Sequence, residues 1–146
     1  MKSNHVLFAL AWLAVPMATR PASAADAVKV AAYTALDDST DAAGIDALAR
    51  GLGADSTSSI FVFAYGGRHF VPNEARRLGL AARQMLIERA QVDSSRVTLV
   101  DGGYRTTREV ELWLVPEGAD LPLANPTLTA SQVLKGWKRR PPPKKK

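Results

Sequence analysis

The pattern of apolar and polar positions along the chain predicts four β-strands. Residues 60–65 (IFVFAY) are apolar on both faces, which is typical of a strand that is covered on both sides or central to its sheet. Residues 28–36, rich in β-branched and aromatic side chains, predict an earlier strand, and residues 96–100 predict a later one. In residues 109–116 apolar side chains alternate with two glutamates and a tryptophan, so this last strand has one dry face and one partly wet face.

Two segments between these strands have the spacing of helices that pack on a sheet. Residues 42–52 and residues 74–90 each repeat apolar side chains at helical intervals. The order β-α-β-α-β-β therefore predicts an α/β sandwich, an α+β fold with a mixed sheet and two helices on one face. The apolar stripes are Ile45, Leu48 and Leu52 in the first segment and Leu78, Ala81, Ala82, Met85 and Leu86 in the second.

Two of the predicted strands end in a pair of glycines with an arginine close behind. The letters GGR follow one strand and GGYR follow the other. Loops on one rim of a rigid sheet commonly carry function, and glycine lets backbone N–H groups approach a carboxylate or phosphate. We therefore predict an anion-binding rim, to which the second helix adds an arginine. The candidate residues are Gly66, Gly67, Arg68, His69, Arg77, Gly102, Gly103 and Arg105.

The same residues have a structural interpretation as an alternative. Both glycine pairs then form tight turns, and the arginines pair with Asp101 and neighbouring acids. Glu109 and Glu111 are interpreted as the wet face of an edge strand. His69 has no cysteine or second histidine beyond His5 to complete a metal site, and no G-x-S-x-G motif is present. We expect no enzyme activity, cofactor or metal; a hydrolase that depends on His69 is the alternative.

The first 24 residues have the features of a secretory signal peptide. Lys2 precedes an apolar stretch, residues 6–17, that is too short to span a bilayer, and Ala22-Ser23-Ala24 suits signal peptidase. We expect cleavage near Ala24 and a periplasmic or secreted protein; a retained membrane anchor is the alternative. The chain has no cysteine, which excludes a lipoprotein anchor, disulfides and thiolate metal sites.

The net charge of +5 is unevenly distributed. Residues 135–146 contain seven basic residues and no acid, whereas the part between the signal and this end has ten basic and fourteen acidic residues. We predict that residues 126–146 form a disordered tail that binds an anionic surface, with a tail that only aids solubility as the alternative. The predicted contact residues are Lys135, Trp137, Lys138, Arg139, Arg140, Lys144, Lys145 and Lys146.

Five motifs occur in an order that resembles a known family. They are FVFAYGG at residues 61–67, an Arg- and Ala-rich helix at 74–90, VDSSRV at 92–97, DGGY at 101–104 and REVEL at 108–112. Together they resemble the OmpA-like domain, a periplasmic module that binds peptidoglycan, and in particular a divergent group of small secreted proteins. We assign residues 25–125 to this domain.

The resemblance implies binding to the bacterial cell wall. In the family, an aspartate after the second strand and an arginine on the next helix bind the charged ends of diaminopimelate. Here the loop GGRHF contains no acid, Asn73 and Glu74 are its nearest substitutes, and Arg77 matches the helical arginine, so the site is degenerate. We expect a non-enzymatic cell-envelope binding module.

The partners that follow from this expectation are peptidoglycan or another anionic envelope polymer, and an anionic lipid surface through the tail. No nucleic acid is expected. The alternative function is a periplasmic protein-interaction module that has lost cell-wall binding and recruits a partner chain through an edge strand.

Overall fold

A computed structural model describes residues 26–34 and 42–138, without the side chains of residues 42, 137 and 138. The predicted signal peptide and residues 139–146 of the predicted tail lie outside the described residues. Within them, no helix has the length and apolar character needed to cross a membrane. The elements are β1 Val28–Tyr33, α1 Ala42–Ala54, β2 Ser59–Gly66, α2 Glu74–Ala90, β3 Val97–Tyr104, β4 Glu109–Val115 and α3 Ala130–Lys138.

The four described strands form one mixed sheet in the order β1-β4-β2-β3. Strand β4 is antiparallel to both β1 and β2, whereas β2 and β3 are parallel. Two parallel neighbours need a long crossover connection, and α2 supplies it. The predicted α/β fold with a mixed sheet is confirmed.

Helices α1 and α2 cover one face of this sheet. Ile60, Val62 and Ala64 alternate along β2 and belong to the same buried cluster as Leu48 of α1 and Leu86 of α2. Each fully buried side chain of this size contributes about 1.5–3 kcal/mol relative to an exposed one. The stripes that predicted the two helices therefore face this core.

The opposite side of the sheet, here called the second face, carries the other alternating residues. Phe63 and Tyr65 of β2 point to it and are buried, and the Phe63 ring meets Trp113 of β4 edge-on, with 6.3 Å between the ring centroids. The chain after β4 crosses this face, where the Asn125 backbone N–H donates to the Tyr65 hydroxyl at 3.3 Å. Tyr65 is thus enclosed by the last residues of the segment assigned to the domain.

The predicted disorder from residue 126 onward is wrong for residues 126–138. Leu128 forms an antiparallel bridge with Tyr104, and Val133 of α3 is buried. The physical reason is a capping box at the start of α3. The Thr129 hydroxyl accepts a hydrogen bond from the Gln132 N–H, and the Gln132 side-chain oxygen accepts one from the Thr129 N–H.

Two further predictions about the strands need correction. Strand β4 is not an edge strand, because it lies between β1 and β2. Strand β3 does not end before Asp101 but continues to Tyr104. It does so because its pairing with β2 continues as far as Gly66 and Tyr104. Gly102 permits this close packing against the Tyr65 ring, since an added Cβ would lie 2.4 Å from a ring carbon. Gly103 is left-handed with φ 84° and lies close to Pro126.

Candidate functional site

The two Gly-Gly segments lie side by side at one end of the sheet, as predicted. Gly66 pairs with Tyr104 across the parallel strands, and the Arg105 N–H donates to the Gly66 carbonyl at 2.8 Å. The Arg68 N–H reaches the carbonyl of Thr106 at 3.4 Å. The rim is therefore built largely from hydrogen bonds between backbone groups of these two segments.

Glu74, which the sequence analysis named as a substitute acid, helps to hold this rim. Its carboxylate accepts a hydrogen bond from the Gly67 N–H at 2.9 Å and lies 4.0 Å from the Arg108 guanidinium. Because Glu74 opens α2, its negative charge also suits the positive end of the helix dipole. Glu74 thus ties the loop after β2 to the start of α2.

Arg105 points to the second face and is engaged there. Its guanidinium lies 3.5 Å from the centroid of the Tyr65 ring. It donates to Glu109, to Glu111 at 3.1 Å and to the Asn125 carbonyl at 3.1 Å. Burial acts to lower the pKa of Arg105, but the hydrogen bonds that Arg105 donates to Glu109 and Glu111 outweigh it and raise this pKa. Arg105 therefore pairs with acidic residues, as the structural alternative expected. The acids are Glu109 and Glu111 and not Asp101.

Glu111 is the centre of this arrangement, here called the Glu111 cluster. It is 5% exposed, which corrects its assignment to a wet face. Besides Arg105, its carboxylate accepts from Lys29 at 3.2 Å, Tyr65 at 3.2 Å and the Trp113 indole at 3.3 Å. Burial acts to raise the pKa of Glu111, yet hydrogen bonds from Arg105, Lys29 and Trp113 leave this pKa below its usual value. Four donors thus compensate one buried charge.

The structure separates Arg105 from Arg77, two of the three arginines that were predicted to share one rim. The Arg105 guanidinium stacks on the second face, whereas Arg77 belongs to α2 on the opposite face, so the sheet lies between them. Arg68 and His69 are exposed in the loop after β2. An open groove of about 470 Å³ adjoins the Glu111 cluster, and neither Arg68 nor Arg77 lines it. Binding of a ligand by these residues stays a prediction.

A different site lies on the α2 side of the same rim, here called the rim pocket. It has a volume of about 490 Å³ and is bounded by the start of α2 and the end of β3. Its two exposed charges are Arg76 and Asp101, and neither forms an ion pair with another described residue. Its lining residues are Val71, Asn73, Glu74, Ala75, Arg76, Asp101, Gly103 and Tyr104.

Asn73 gives the rim pocket a further polar group. It precedes α2 in the left-handed conformation, with φ 57°, and its side chain caps no backbone N–H of the helix. Non-glycine residues in this conformation are uncommon, although asparagine tolerates it better than most. The position of Asn73 suggests that it caps the helix, but its side-chain amide does not do so.

An apolar groove of about 340 Å³ adjoins the rim pocket. It shares Ala75, Arg76 and Asp101 with the pocket and continues between α2 and β3 past Leu80 and Leu99. Gly79 of α2 lies beside β2, where an added Cβ would make an ordinary contact of 3.5 Å with the Ala64 side chain. The rim pocket thus has a charged end and an apolar extension.

Sequence reasoning missed Arg76 and Asp101 as partners in one pocket. Asp101 was visible only as the acid before a Gly-Gly pair, and Arg76 as one of several arginines on α2. The parallel pairing of β2 with β3 brings the end of β3 beside the start of α2, and this pairing is a tertiary fact. The one signal in the sequence was the pair Asn73 and Glu74, which opens α2 and lines the pocket.

In residues 26–34 and 42–138, no three His, Asp or Glu side chains gather where they could hold a metal ion. No protein-family model matches the chain, and no curated protein matches its sequence. The function is therefore argued from the geometry of the rim pocket.

Proposed function

We propose that this chain is a secreted, non-enzymatic module that binds the bacterial cell envelope through the rim pocket. The ligand is a group that carries both an ammonium and a carboxylate, such as the diaminopimelate of a peptidoglycan stem. The observation that carries the proposal is that Arg76 and Asp101, two exposed and unpaired opposite charges, line one pocket.

The two charges match the two ends of such a ligand. A guanidinium binds a carboxylate through two parallel hydrogen bonds, which favours Arg76 as the partner of the ligand's acid. The Asp101 carboxylate accepts hydrogen bonds from an ammonium group, and one of its oxygens already accepts from the Gly103 N–H at 2.9 Å, which fixes its direction. Asn73 and Tyr104 supply a further amide and an aromatic ring.

The resemblance to the OmpA-like domain supports the same ligand class. That family uses an aspartate from the loop after the second strand and an arginine from the following helix. In our proposal Asp101, from the neighbouring strand, takes the role of the missing loop acid. Arg76 takes the role of the helical arginine, one residue before the position that the sequence predicted.

The test is sedimentation of the full chain with purified sacculi, with and without soluble diaminopimelate as a competitor. We expect the parent chain to be retained and the competitor to release it. Arg76→Gln and Asp101→Asn should each weaken retention by about tenfold or more, since each removes one charge-assisted contact. Arg50→Gln is the matched control, because Arg50 is an exposed arginine on α1 outside the rim pocket. Retention that ignores both the competitor and the two pocket variants contradicts the proposal.

A second candidate is the protein-interaction module, and the position of β3 favours it. Strand β3 is one of the two outer strands of the described sheet, and its residues Thr98, Leu99 and Asp101 are exposed. An outer strand presents backbone groups to which an extended partner chain can add another strand. A chain that sediments with sacculi at no salt concentration, but loses a co-purifying partner upon Leu99→Lys, supports this candidate over the first.

A further inference from the structure

The apolar groove between α2 and β3 is a space that the proposed function leaves unused. Its volume is about 340 Å³, and its lining includes Leu80 and Leu99, which are 45% and 37% exposed. It shares Ala75, Arg76 and Asp101 with the rim pocket, so the two spaces are continuous along the protein surface. A ligand that fills both spaces therefore joins a charged end to an apolar part.

Gly79 lies in the interior of α2 and lines this groove. Glycine is unfavourable in a helix interior relative to alanine, and the backbone gives no reason for it here, since Gly79 is not among the residues with a positive φ. Close packing gives no reason either, because an added Cβ would make ordinary contacts, 3.5 Å from the Ala64 side chain and 3.8 Å from that of Leu99. Both of these side chains line the groove, so the glycine keeps the space between them open.

The spacing along α2 sets the layout of such a ligand. Gly79 and Leu80 follow Arg76 by three and four positions, which is one helical turn, or about 4.5–6 Å along the helix axis. Residues at this spacing share one face of a helix. A ligand whose carboxylate binds Arg76 therefore continues past Gly79 and Leu80. An aliphatic portion gains at this point, because it displaces water from the apolar side chains of the groove.

We propose that the apolar groove is the second part of the ligand site, that it takes an aliphatic side chain, and that Gly79 is the residue that admits this side chain. The inference rests on the proposed function, because it places the charged end of the ligand at Arg76 and Asp101. Apart from these two residues, the lining of the groove contains no charge, so only an apolar group suits it. The ligand class narrows to a peptide in which the residue with the free ammonium and carboxylate is joined to an aliphatic residue.

The test measures the dissociation constants of two dipeptides with the full chain by isothermal titration calorimetry. Diaminopimelyl-leucine and diaminopimelyl-glycine carry the same charges and differ only in the aliphatic side chain. We expect the parent chain to bind the leucine dipeptide about tenfold more tightly, since part of a leucine side chain leaves water. Gly79→Ala should reduce this preference to about threefold or less and leave binding of the glycine dipeptide unchanged, because the added methyl group occupies the groove. The matched control is Gly53→Ala on α1, where an added Cβ meets nothing within 4 Å, and it should keep the tenfold preference.

A second variant and a melting curve separate ligand binding from folding. Leu80→Ser with Leu99→Ser removes apolar lining without adding volume, and it should also lose the preference for leucine. Gly79→Ala should raise the melting temperature by about 2–5 °C, since alanine favours the helix. A fall instead would show that packing requires the glycine, which overturns its assignment to the ligand.

The outcomes distinguish this proposal from the one on which it rests. Equal binding of the two dipeptides by the parent chain overturns the groove as a ligand site and leaves the proposed function standing. A preference that survives in both Gly79→Ala and the double leucine variant also overturns it, because the leucine side chain then binds elsewhere. Failure of both dipeptides to bind overturns the proposed function, and this proposal with it.

Discussion

The Glu111 cluster and the rim pocket place arginine and carboxylate groups at the same end of the same sheet, yet the groups are used differently. In the cluster, Arg105 and Glu111 satisfy each other within hydrogen-bonding distance and are largely shielded from water. In the rim pocket, Arg76 and Asp101 face the same space without pairing. Under our proposal, an arginine near this end of the sheet can bind a ligand only where the fold leaves it unpaired.

The difference arises from what covers each site. The segment around Asn125 closes over Tyr65 and Arg105, so the charges beneath it lose water and must be paired to persist. No such segment closes the α2 side of the rim among the residues that the structure describes, and Arg76 and Asp101 stay exposed. The buried charges of the Glu111 cluster thus stabilise the fold, whereas the exposed charges of the rim pocket remain accessible to solvent.

The largest effect on stability is expected at Glu111. Glu111→Gln leaves the Arg105 guanidinium without its buried counter-charge, so we expect the free energy of unfolding to fall by about 3 kcal/mol or more. Urea denaturation measures this change. The matched control is Glu109→Gln, whose more exposed carboxylate should cost about 1 kcal/mol or less. Equal costs for the two variants would show that the cluster is no more structural than a surface ion pair.

A smaller effect is expected on the pH dependence of stability. The pKa of Glu111 is lower in the folded protein than its ordinary value of 4.5. The contribution of Glu111 to stability is therefore fully present above about pH 4.5 and is lost as the pH falls through the lowered pKa. Urea denaturation between about pH 6 and pH 3 should show this loss in the parent chain and a shallower decline in Glu111→Gln.

Other acids also titrate in this pH range, and comparison with the parent chain removes their effect. Hydrogen bonds from Ser58 and Thr57 lower the pKa of Asp55 to about 2, and those from Ser95 lower the pKa of Asp93. Both acids are present in both chains, so the difference between the two pH curves isolates Glu111. Parallel curves would mean that the cluster does not favour the ionised form of Glu111.

The smallest effect on stability is expected in the rim pocket. Arg76→Gln and Asp101→Asn remove charges that no described partner neutralises, and the asparagine keeps an oxygen that can accept from the Gly103 N–H. We expect each to change the free energy of unfolding by no more than about 0.5 kcal/mol in urea denaturation. A cost of about 2 kcal/mol or more in either variant would make the rim pocket structural, like the Glu111 cluster.

The pattern of apolar positions determined much of the fold. The helix predicted at residues 74–90 matches α2, and the other predicted elements agree with the structure to within a few residues, apart from the longer β3. These elements are local, because one apolar stripe or one alternating run is enough to specify each of them. The capping-box sequence from Thr129 to Gln132 could have predicted the start of α3 in the same way, but the basic composition after it favoured disorder.

The sites were decided by contacts between residues far apart in the chain. The alternation of apolar and polar residues along β4 alone predicts that Glu111 faces solvent. The position of β4 between β1 and β2 instead places Glu111 beside Lys29, Tyr65 and Arg105. In the same way, only the crossover through α2 brings Arg76 to Asp101. The sequence thus determined which charges exist near the glycine-rich strand ends, and strand order with burial decided which of them are paired, because pairing depends on distance and on the exclusion of water.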